Sequence, residues 1–263
     1  MTNRKIILLT FDLEEFDLPL EFGIVISKER QLEIALEGLR TLLHFLKETE
    51  VKVTFFTTAY FATQFPEIIK EMSKSHEIAS HMYSHSGNDV THVQSSRTEL
   101  SRLTNQSVAG FRMPRFAPMS LTEIKKAGYR YDSSINPTFI PNRYNNFFKP
   151  RKIHIDPNTG LAIVPMSVTP IFRFPLFWLS FKNINYYFYL FLCKWCLWSD
   201  DYLHLYFHPW EFANLNEWEI PNYIKSPSGN QLTNLLRRLI TDLKKKYDFS
   251  TIASYLDSIK KIR

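Results

Sequence analysis

Short apolar runs alternate with longer amphipathic segments along most of this chain. Residues 5–11 form a continuous apolar run typical of a buried strand, and residues 51–57 and 202–207 are rich in β-branched or aromatic residues. Apolar residues recur at helical spacing over residues 29–48 and 231–246. This alternation predicts parallel strands joined by crossover helices, in an open α/β sheet or a (β/α) barrel.

The same patterns predict further elements. Short strands are expected over residues 77–79, 108–111, 129–132, 153–155 and 162–166, and helices over residues 59–74, 95–103 and 120–127. Residues 143–150 are predicted to form a loop, and the segments 249–252 and 255–262 close the chain. No repeat, low-complexity linker or change of composition marks a boundary, so residues 1–263 are predicted to form a single domain.

Composition narrows the classes of protein. Of the 263 residues, 44% are hydrophobic and 22% are charged, which is typical of a globular protein. The chain has 7 glycines and neither G-x-G-x-x-G nor G-x-x-x-x-G-K-[ST], which argues against a phosphate-binding loop. The formal net charge of +6 is modest, and we expect no nucleic-acid partner.

One segment, residues 171–198, is unusually aromatic. Pro175 and several charged and amide side chains interrupt it, so a helix packed on the core is favoured over a membrane span. A groove wall or a surface that touches a membrane is the alternative interpretation. Cys193 and Cys196 are interpreted as buried residues on one helix face, because structural zinc usually needs four protein ligands. The amino terminus lacks the pattern of a secretory signal, so a cytoplasmic location is expected.

Acidic residues and histidines cluster after predicted strands. Asp12, Glu14 and Glu15 follow the first strand, where they indicate either a general base with a metal ligand or a solvated loop. His81 and His85 have the H-x-x-x-H spacing that lets two imidazoles reach one divalent ion. The alternative interpretation is a pair of ordinary polar histidines. No H-E-x-x-H is present, which disfavours a zinc protease of that type.

Two polar residues follow later strands. Arg112 lies at a strand end, where an arginine can hold a carboxylate through two hydrogen bonds. His208 lies at another strand end beside Pro209 and is a candidate general acid. Taken alone, Arg112 could be a surface arginine and His208 a structural histidine. Together and in this order, the four clusters meet the requirements of metal-assisted amide hydrolysis.

Three strings carry a resemblance to a known family: HEIASHMYSHS at residues 76–86, GYRYDSS at 128–134 and YFHPWE at 206–211. In motif order, the chain resembles the polysaccharide deacetylases of the NodB-homology type, carbohydrate esterase family four. The form of the motifs is similar to a subgroup linked to bacterial exopolysaccharide synthesis. The resemblance implies a distorted (β/α)7 barrel and a metal-dependent hydrolase that removes N-acetyl groups from amino sugars.

The resemblance also implies roles for individual residues. Asp12 resembles the catalytic base, Arg112 the arginine that pairs with it, and His81 and His85 two metal ligands. His208 resembles the general acid.

The third metal ligand departs from the usual pattern. It is usually an aspartate directly after the base, but that position is Leu13 here. Similarity to members with a D-x-D arrangement implies Glu14 as this ligand and Glu15 as a spare carboxylate. The implied cofactor is a divalent metal, zinc first, with cobalt, nickel or iron as alternatives.

Three more residues complete the implied site. Asp132 resembles an aspartate that supports the acid, and the backbone N–H of Arg115 resembles the oxyanion donor. Trp210 and the aromatic segment are candidates for stacking on sugar rings, with core packing favoured for most of those rings.

The implied substrate is an N-acetylated glycan of a bacterial cell surface or extracellular polysaccharide, or its precursor. A membrane contact or a lipid-linked substrate is compatible with the aromatic segment, and the oligomeric state is open. Two alternatives remain: a metal-independent hydrolase of small cyclic amides, similar to allantoinases, and a non-catalytic glycan-binding relative. An intact set of base, acid and ligands disfavours the latter.

Overall fold

Seven parallel strands curl into a distorted (β/α)7 barrel in the computed structural model, which describes residues 4–86 and 89–260. The strands are β1 (Ile6–Leu13), β2 (Thr54–Thr57), β3 (Glu77–Ser80), β4 (Gly110–Phe111), β5 (Tyr131–Asp132), β6 (Phe139–Ile140), β7 (Tyr144–Asn145), β8 (His154–Ile155), β9 (Ala162–Ile163), β10 (Tyr202–Phe207) and β11 (Asp248–Phe249). The helices are α1 (Lys28–Thr49), α2 (Ala59–Gln64), α3 (Pro66–Met72), α4 (Thr91–Thr104), α5 (Leu121–Lys126), α6 (Trp178–Asn183), α7 (Tyr186–Asp200), α8 (Asn222–Lys225), α9 (Gly229–Lys244) and α10 (Ile252–Lys260). Single 3-10 turns occupy Leu18–Phe22, Pro114–Phe116 and Pro209–Phe212.

The strand order explains how the ends of the strands meet. The parallel path runs β10-β1-β2-β3-β4-β5-β9, β8 pairs antiparallel with β9, and β11 adds to β1. The two ends of this path come together through Ser167, whose backbone N–H donates to the His204 carbonyl at 3.1 Å. The Ser167 hydroxyl accepts from the His204 N–H at 2.8 Å. The sheet therefore curls around a shared interior, and its carboxyl ends face one side.

Helix α1 anchors one wall of the barrel. Most of its apolar residues lie at helical spacing and are buried, and Ser27 caps its first turn by accepting from the Arg30 N–H at 3.2 Å. Gly38 allows a close approach, because a Cβ there would lie 2.0 Å from the Pro209 carbonyl oxygen. Helix α1 therefore packs directly against the turn that follows β10.

Several boundaries differ from the sequence predictions. The predicted helix 59–74 is two helices, because Phe65 leaves the helical conformation and Pro66 starts α3. The hairpin β6–β7 takes up part of the predicted loop 143–150. The first strand continues to Leu13, so Asp12 lies within it. In the closing segment 255–262, residues 261 and 262 lie outside the described residues.

The aromatic segment 171–198 contains two helices rather than one. Asn185 separates them, and its side chain accepts from the Tyr187 and Phe188 N–H groups in the first turn of α7. Cys193 and Cys196 are buried on α7 as free cysteines. Among the described residues, no helix has both the length and the apolar character needed to cross a membrane.

Candidate active site and metal centre

The candidate residues meet where the parallel strands end. Asp12 lies near the end of β1, and Glu14 is the first residue after that strand. The first residues after β3, β4 and β10 are His81, Arg112 and His208, respectively. Functional groups in barrels collect at this end of the strands. Asp12, Glu14, His81 and His208 line a cavity of about 290 Å³ at this end.

Three buried side chains form a candidate metal centre. Glu14 Oε2 lies 3.0 Å from His81 Nε2 and 3.1 Å from His85 Nε2. The three ligand atoms all lie within 4.8 Å of one another. Glu15 takes no part, because its carboxylate accepts from the Thr58 hydroxyl at 3.0 Å. The structure thus brings Glu14, and not Glu15, to the histidines.

The outer nitrogens of both histidines are fixed by acceptors. His81 Nδ1 lies 2.8 Å from the Arg112 carbonyl oxygen, which can only accept, so this nitrogen donates. His85 Nδ1 lies 2.8 Å from the Asp17 carboxylate. In a neutral ring, each Nε2 atom is then unprotonated, and its lone pair is directed at Glu14. Three acceptors facing one another require a shared cation or protons, and such outer-nitrogen contacts are typical of metal-bound histidines.

The Asp12 carboxylate is paired with a fully buried arginine. Arg112 donates to Asp12 and, at 3.1 Å, to the Thr10 hydroxyl. It also donates to His204 Nε2 at 3.0 Å, and its guanidinium lies 3.8 Å from the centre of the Phe56 ring. Burial, with the nearby Arg112 charge, holds the pKa of His204 well below its usual value. His204 is therefore a neutral acceptor for Arg112.

His208 is held from behind by Glu211. The Glu211 carboxylate accepts from the His208 backbone N–H at 2.8 Å and lies 3.1 Å from Nδ1, which leaves Nε2 facing the cavity. Burial lowers the pKa of His208, but Glu211 and Glu14 outweigh burial, so the net pKa is raised. Lys182 Nζ lies 3.4 Å from the other Glu211 oxygen, with both side chains fully buried.

Asp132 does not reach His208. Its carboxylate accepts from the Ser134 hydroxyl at 2.5 Å and from the Ser134 N–H at 3.3 Å. Burial raises its pKa to about 6. The structure places Glu211 where the resemblance implied Asp132, because the tight turn after β10 brings the residue three positions after His208 back onto its ring.

Arg115 and Trp210 both line the cavity. Arg115 and Phe116 have positive φ angles of 56° and 52°, an uncommon strained turn. Within the described part of the chain, the Arg115 N–H has no hydrogen-bond acceptor. Trp210 is almost fully buried, stacks on His208 at 4.8 Å and directs its Nε1 to Glu14 at 3.3 Å. Trp210 is thus packed against site residues and offers little free surface.

The sequence profile of the family described as polysaccharide deacetylase matches residues 1–131. This stretch, just under half of the chain, carries Asp12, Glu14, His81, His85 and Arg112. The profile match supports a relationship of residues 1–131 to the polysaccharide deacetylases, and the fold is consistent with it. The profile match also supports a deacetylase hydrolase that acts on C–N amide bonds.

Solved structures share the fold over almost the whole chain. A protein assigned as a polysaccharide deacetylase from Mycobacterium smegmatis is 17% identical, with 98% of this chain and 91% of that chain covered and a TM-score of 0.65. One similarly assigned, from Pseudomonas aeruginosa PAO1, is 16% identical, with 96% and 90% covered and a TM-score of 0.65. An allantoinase is 15% identical, with 96% and 89% covered and a TM-score of 0.65. No curated protein sequence matches this chain.

Three residues of the candidate site were not predicted from the sequence. The sequence does indicate Glu211, because it lies three residues after the candidate acid His208 and just beyond Pro209. His204 had a weaker signal, because it shares the inward face of β10 with Tyr206 by alternation. Asp17 had none, since only the 3-10 turn that follows β1 returns it to His85.

Proposed function

We propose that this protein removes N-acetyl groups from amino sugars of a bacterial cell-surface or extracellular polysaccharide, or of its precursor, and that it uses a divalent metal. One observation carries the proposal. The Glu14, His81 and His85 ligand atoms converge in the same cavity that Asp12 and His208 line. Ligands, a carboxylate and an imidazole in one cavity suit hydrolysis of an amide better than binding alone.

The donor set fits a metal ion. One carboxylate oxygen and two imidazole nitrogens are ligands that zinc accepts, and an open position beside three protein ligands is typical of catalytic zinc. Cobalt, nickel and iron accept the same ligand types. When bound, such an ion supplies Lewis acidity and makes water more acidic.

Asp12 acts as the general base in this proposal. Its carboxylate accepts a hydrogen bond from the buried Arg112 guanidinium. In the proposed step, the Asp12 carboxylate takes a proton from the attacking water. The other Arg112 partners hold the guanidinium in place, so the base keeps one orientation in the cavity.

His208 acts as the general acid. Glu211 accepts from Nδ1, so the ring presents Nε2 to the cavity and its protonated form is favoured. The proton at Nε2 then passes to the nitrogen of the leaving amine, and the C–N bond breaks with release of acetate and a free amino sugar. The free N–H of Arg115 supports the negative oxygen of the tetrahedral intermediate.

Metal content and acetate release test the proposal together. Purified wild type is expected to hold about one divalent ion per chain by elemental mass spectrometry and to release acetate from N-acetylhexosamine oligomers. Glu14→Gln and His81→Ala should lose both properties. Glu15→Gln is the matched control, because Glu15 faces Thr58, and it should keep its metal.

Two results would contradict the proposal. Wild type without metal after incubation with zinc, cobalt, nickel and iron salts would argue against the ligand set. Turnover of allantoin, without acetate release from any acetylated sugar, would instead favour the cyclic amide hydrolase that shares this fold. Asp12→Asn and His208→Ala should each abolish acetate release while the chain remains folded.

A further inference from the structure

The whole net positive charge of the chain lies in one stretch, residues 133–199. This stretch holds 7 lysines and arginines and a single acid, Asp156, out of 32 basic and 26 acidic residues in the chain. The remaining sequence holds 25 of each sign and is neutral overall. The charge of +6 is therefore concentrated in the same stretch that contains the aromatic segment.

Large apolar side chains protrude from this stretch. Phe148 is 90% exposed, Ile171 68%, Phe172 75% and Trp198 78%. On α7, Phe188 and Phe191 are also exposed, and they share one side of the helix with Trp198 by helical spacing. Scattered exposed apolar residues are normal, but a group of aromatic ones indicates an interaction surface.

A hairpin presents two of these side chains. The Thr169 N–H donates to the Phe174 carbonyl at 2.9 Å, and the Leu176 N–H donates to the Ser167 carbonyl at 3.1 Å. The chain reverses between these bonds, with Arg173 at a positive φ of 53°. Ile171 and Phe172 thus lie in the turn of this hairpin.

Hydrogen bonds join the hairpin, the Phe148 loop and the end of α7. Arg173 Nη1 donates to the Lys149 carbonyl at 3.0 Å. Lys152 Nζ donates to the Ser199 carbonyl at 2.8 Å, beside Trp198. The result is one surface, which we call the basic aromatic face: Phe148, Ile171, Phe172, Phe191 and Trp198 with Lys149, Lys152, Arg173 and Lys194.

We propose that the basic aromatic face docks this protein on a membrane surface that contains anionic phospholipids. Aromatic side chains favour the headgroup region of a bilayer, and nearby lysines and arginines are attracted by anionic headgroups. Asp200, whose carboxylate lies 3.6 Å from Lys152 Nζ, is buried and paired with Arg151. No repulsion from that carboxylate therefore opposes the lipid charge.

Charge favours lipid over a second copy of the chain. Two copies joined through the basic aromatic face would bring their lysines and arginines together, and protein interfaces are depleted in lysine. An anionic bilayer instead complements both the cations and the apolar side chains.

Docking would also orient the cavity. Tyr144 lines the cavity four residues before Phe148, and Phe177 lines it three residues after Phe174. The two segments that supply the basic aromatic face therefore also supply cavity walls. This inference goes beyond the proposed function, since lipid binding requires neither bound metal nor turnover.

Vesicle co-sedimentation tests the proposal. The full chain is mixed with vesicles of phosphatidylcholine alone and of equimolar phosphatidylcholine and phosphatidylglycerol. We expect sedimentation with the mixed vesicles only, weakened by high salt. Lys149→Gln and Lys152→Gln should each weaken it by roughly fivefold. Phe148→Ser with Phe172→Ser should weaken it by on the order of tenfold.

Matched controls are exposed residues outside the basic aromatic face. Val25→Ser removes a side chain that is 93% exposed, and Lys125→Gln removes an exposed cation. Both should bind vesicles as wild type does, and thermal melting should show all variants folded. Equal binding by the face variants and the controls would overturn the proposal, as would no binding to mixed vesicles. A wild-type dimer that Phe148→Ser with Phe172→Ser dissociates would assign the face to a second copy instead.

Discussion

Replacement of Glu211 by glutamine isolates the support for the proposed general acid. The substitution keeps the size of the side chain and an oxygen that can accept from the His208 N–H. It removes the negative charge 3.1 Å from Nδ1. His208 then loses stabilisation of its protonated form. A hydrogen bond to a charged group contributes roughly 1.5–3 kcal/mol, so kcat/KM at alkaline pH should fall about 10- to 100-fold.

The protonation state of His208 decides in which direction kcat/KM changes with pH. An acid works only while protonated, so activity declines above the pKa of His208, which Glu211 keeps raised. Glu211→Gln lowers this pKa and moves the alkaline limb of the kcat/KM profile to lower pH. A metal ion bound at Glu14 would act on wild type and variant alike, so the difference between the two profiles isolates Glu211.

A double variant separates this effect from stability. Glu211→Gln alone leaves Lys182 buried without its counter-ion, a loss of roughly 3–5 kcal/mol in the free energy of unfolding. Glu211→Gln with Lys182→Met removes both charges and should restore most of that stability. Acetate release is then measured from pH 5 to pH 10, a range of about five units chosen to span the pKa values of imidazoles. An alkaline limb unchanged in the double variant would refute the assigned role of Glu211.

Three further predictions concern the metal centre and the fold. Asp17→Asn should weaken metal affinity by roughly 10- to 100-fold in chelator competition, because the carboxylate that accepts from His85 is lost; unchanged affinity would contradict this. Burial lowers the pKa of His76 to about 4, so only the unfolded chain binds a proton between about pH 6.5 and 4. Stability present above pH 6.5 should therefore fall toward pH 4 by up to roughly 3 kcal/mol, and urea unfolding of His76→Gln should show a smaller decline. Gly38→Ala should destabilise the protein by about 1–3 kcal/mol or more in urea, since its Cβ would overlap the Pro209 carbonyl, and an unchanged midpoint would refute that close approach.

The sequence predicted the fold class because hydrophobic periodicity is local. The buried runs of β1 and β10 and the amphipathic α1 and α9 follow directly from that periodicity. Short strands such as β6 and β7 carry almost no periodic signal, and their pairing depends on a turn. The prediction of a (β/α)7 barrel is confirmed, whereas its exact boundaries depend on tertiary contacts.

The candidate site was predictable where a residue directly follows a strand. Position after a strand end indicated His81, Arg112 and His208 as candidates, because parallel strands end on one side. Partners that reach the site through turns were not predictable in this way, as Asp17 and Glu211 show. Asp132 was paired with His208 through resemblance alone, and its neighbour Ser134 occupies its carboxylate instead.

Arg112 links catalysis to the integrity of the barrel. Its guanidinium is fully buried and donates to side chains from β1 and β10 and to Ser133 beyond β5. A descendant of this protein that abandons hydrolysis can lose His208 with less penalty to folding, because this ring lies at the cavity and pairs with Glu211 from the same turn. Loss of Arg112 would leave buried acceptors in three parts of the barrel without a donor. Relatives that have become inactive are therefore expected to retain this arginine longer than the general acid.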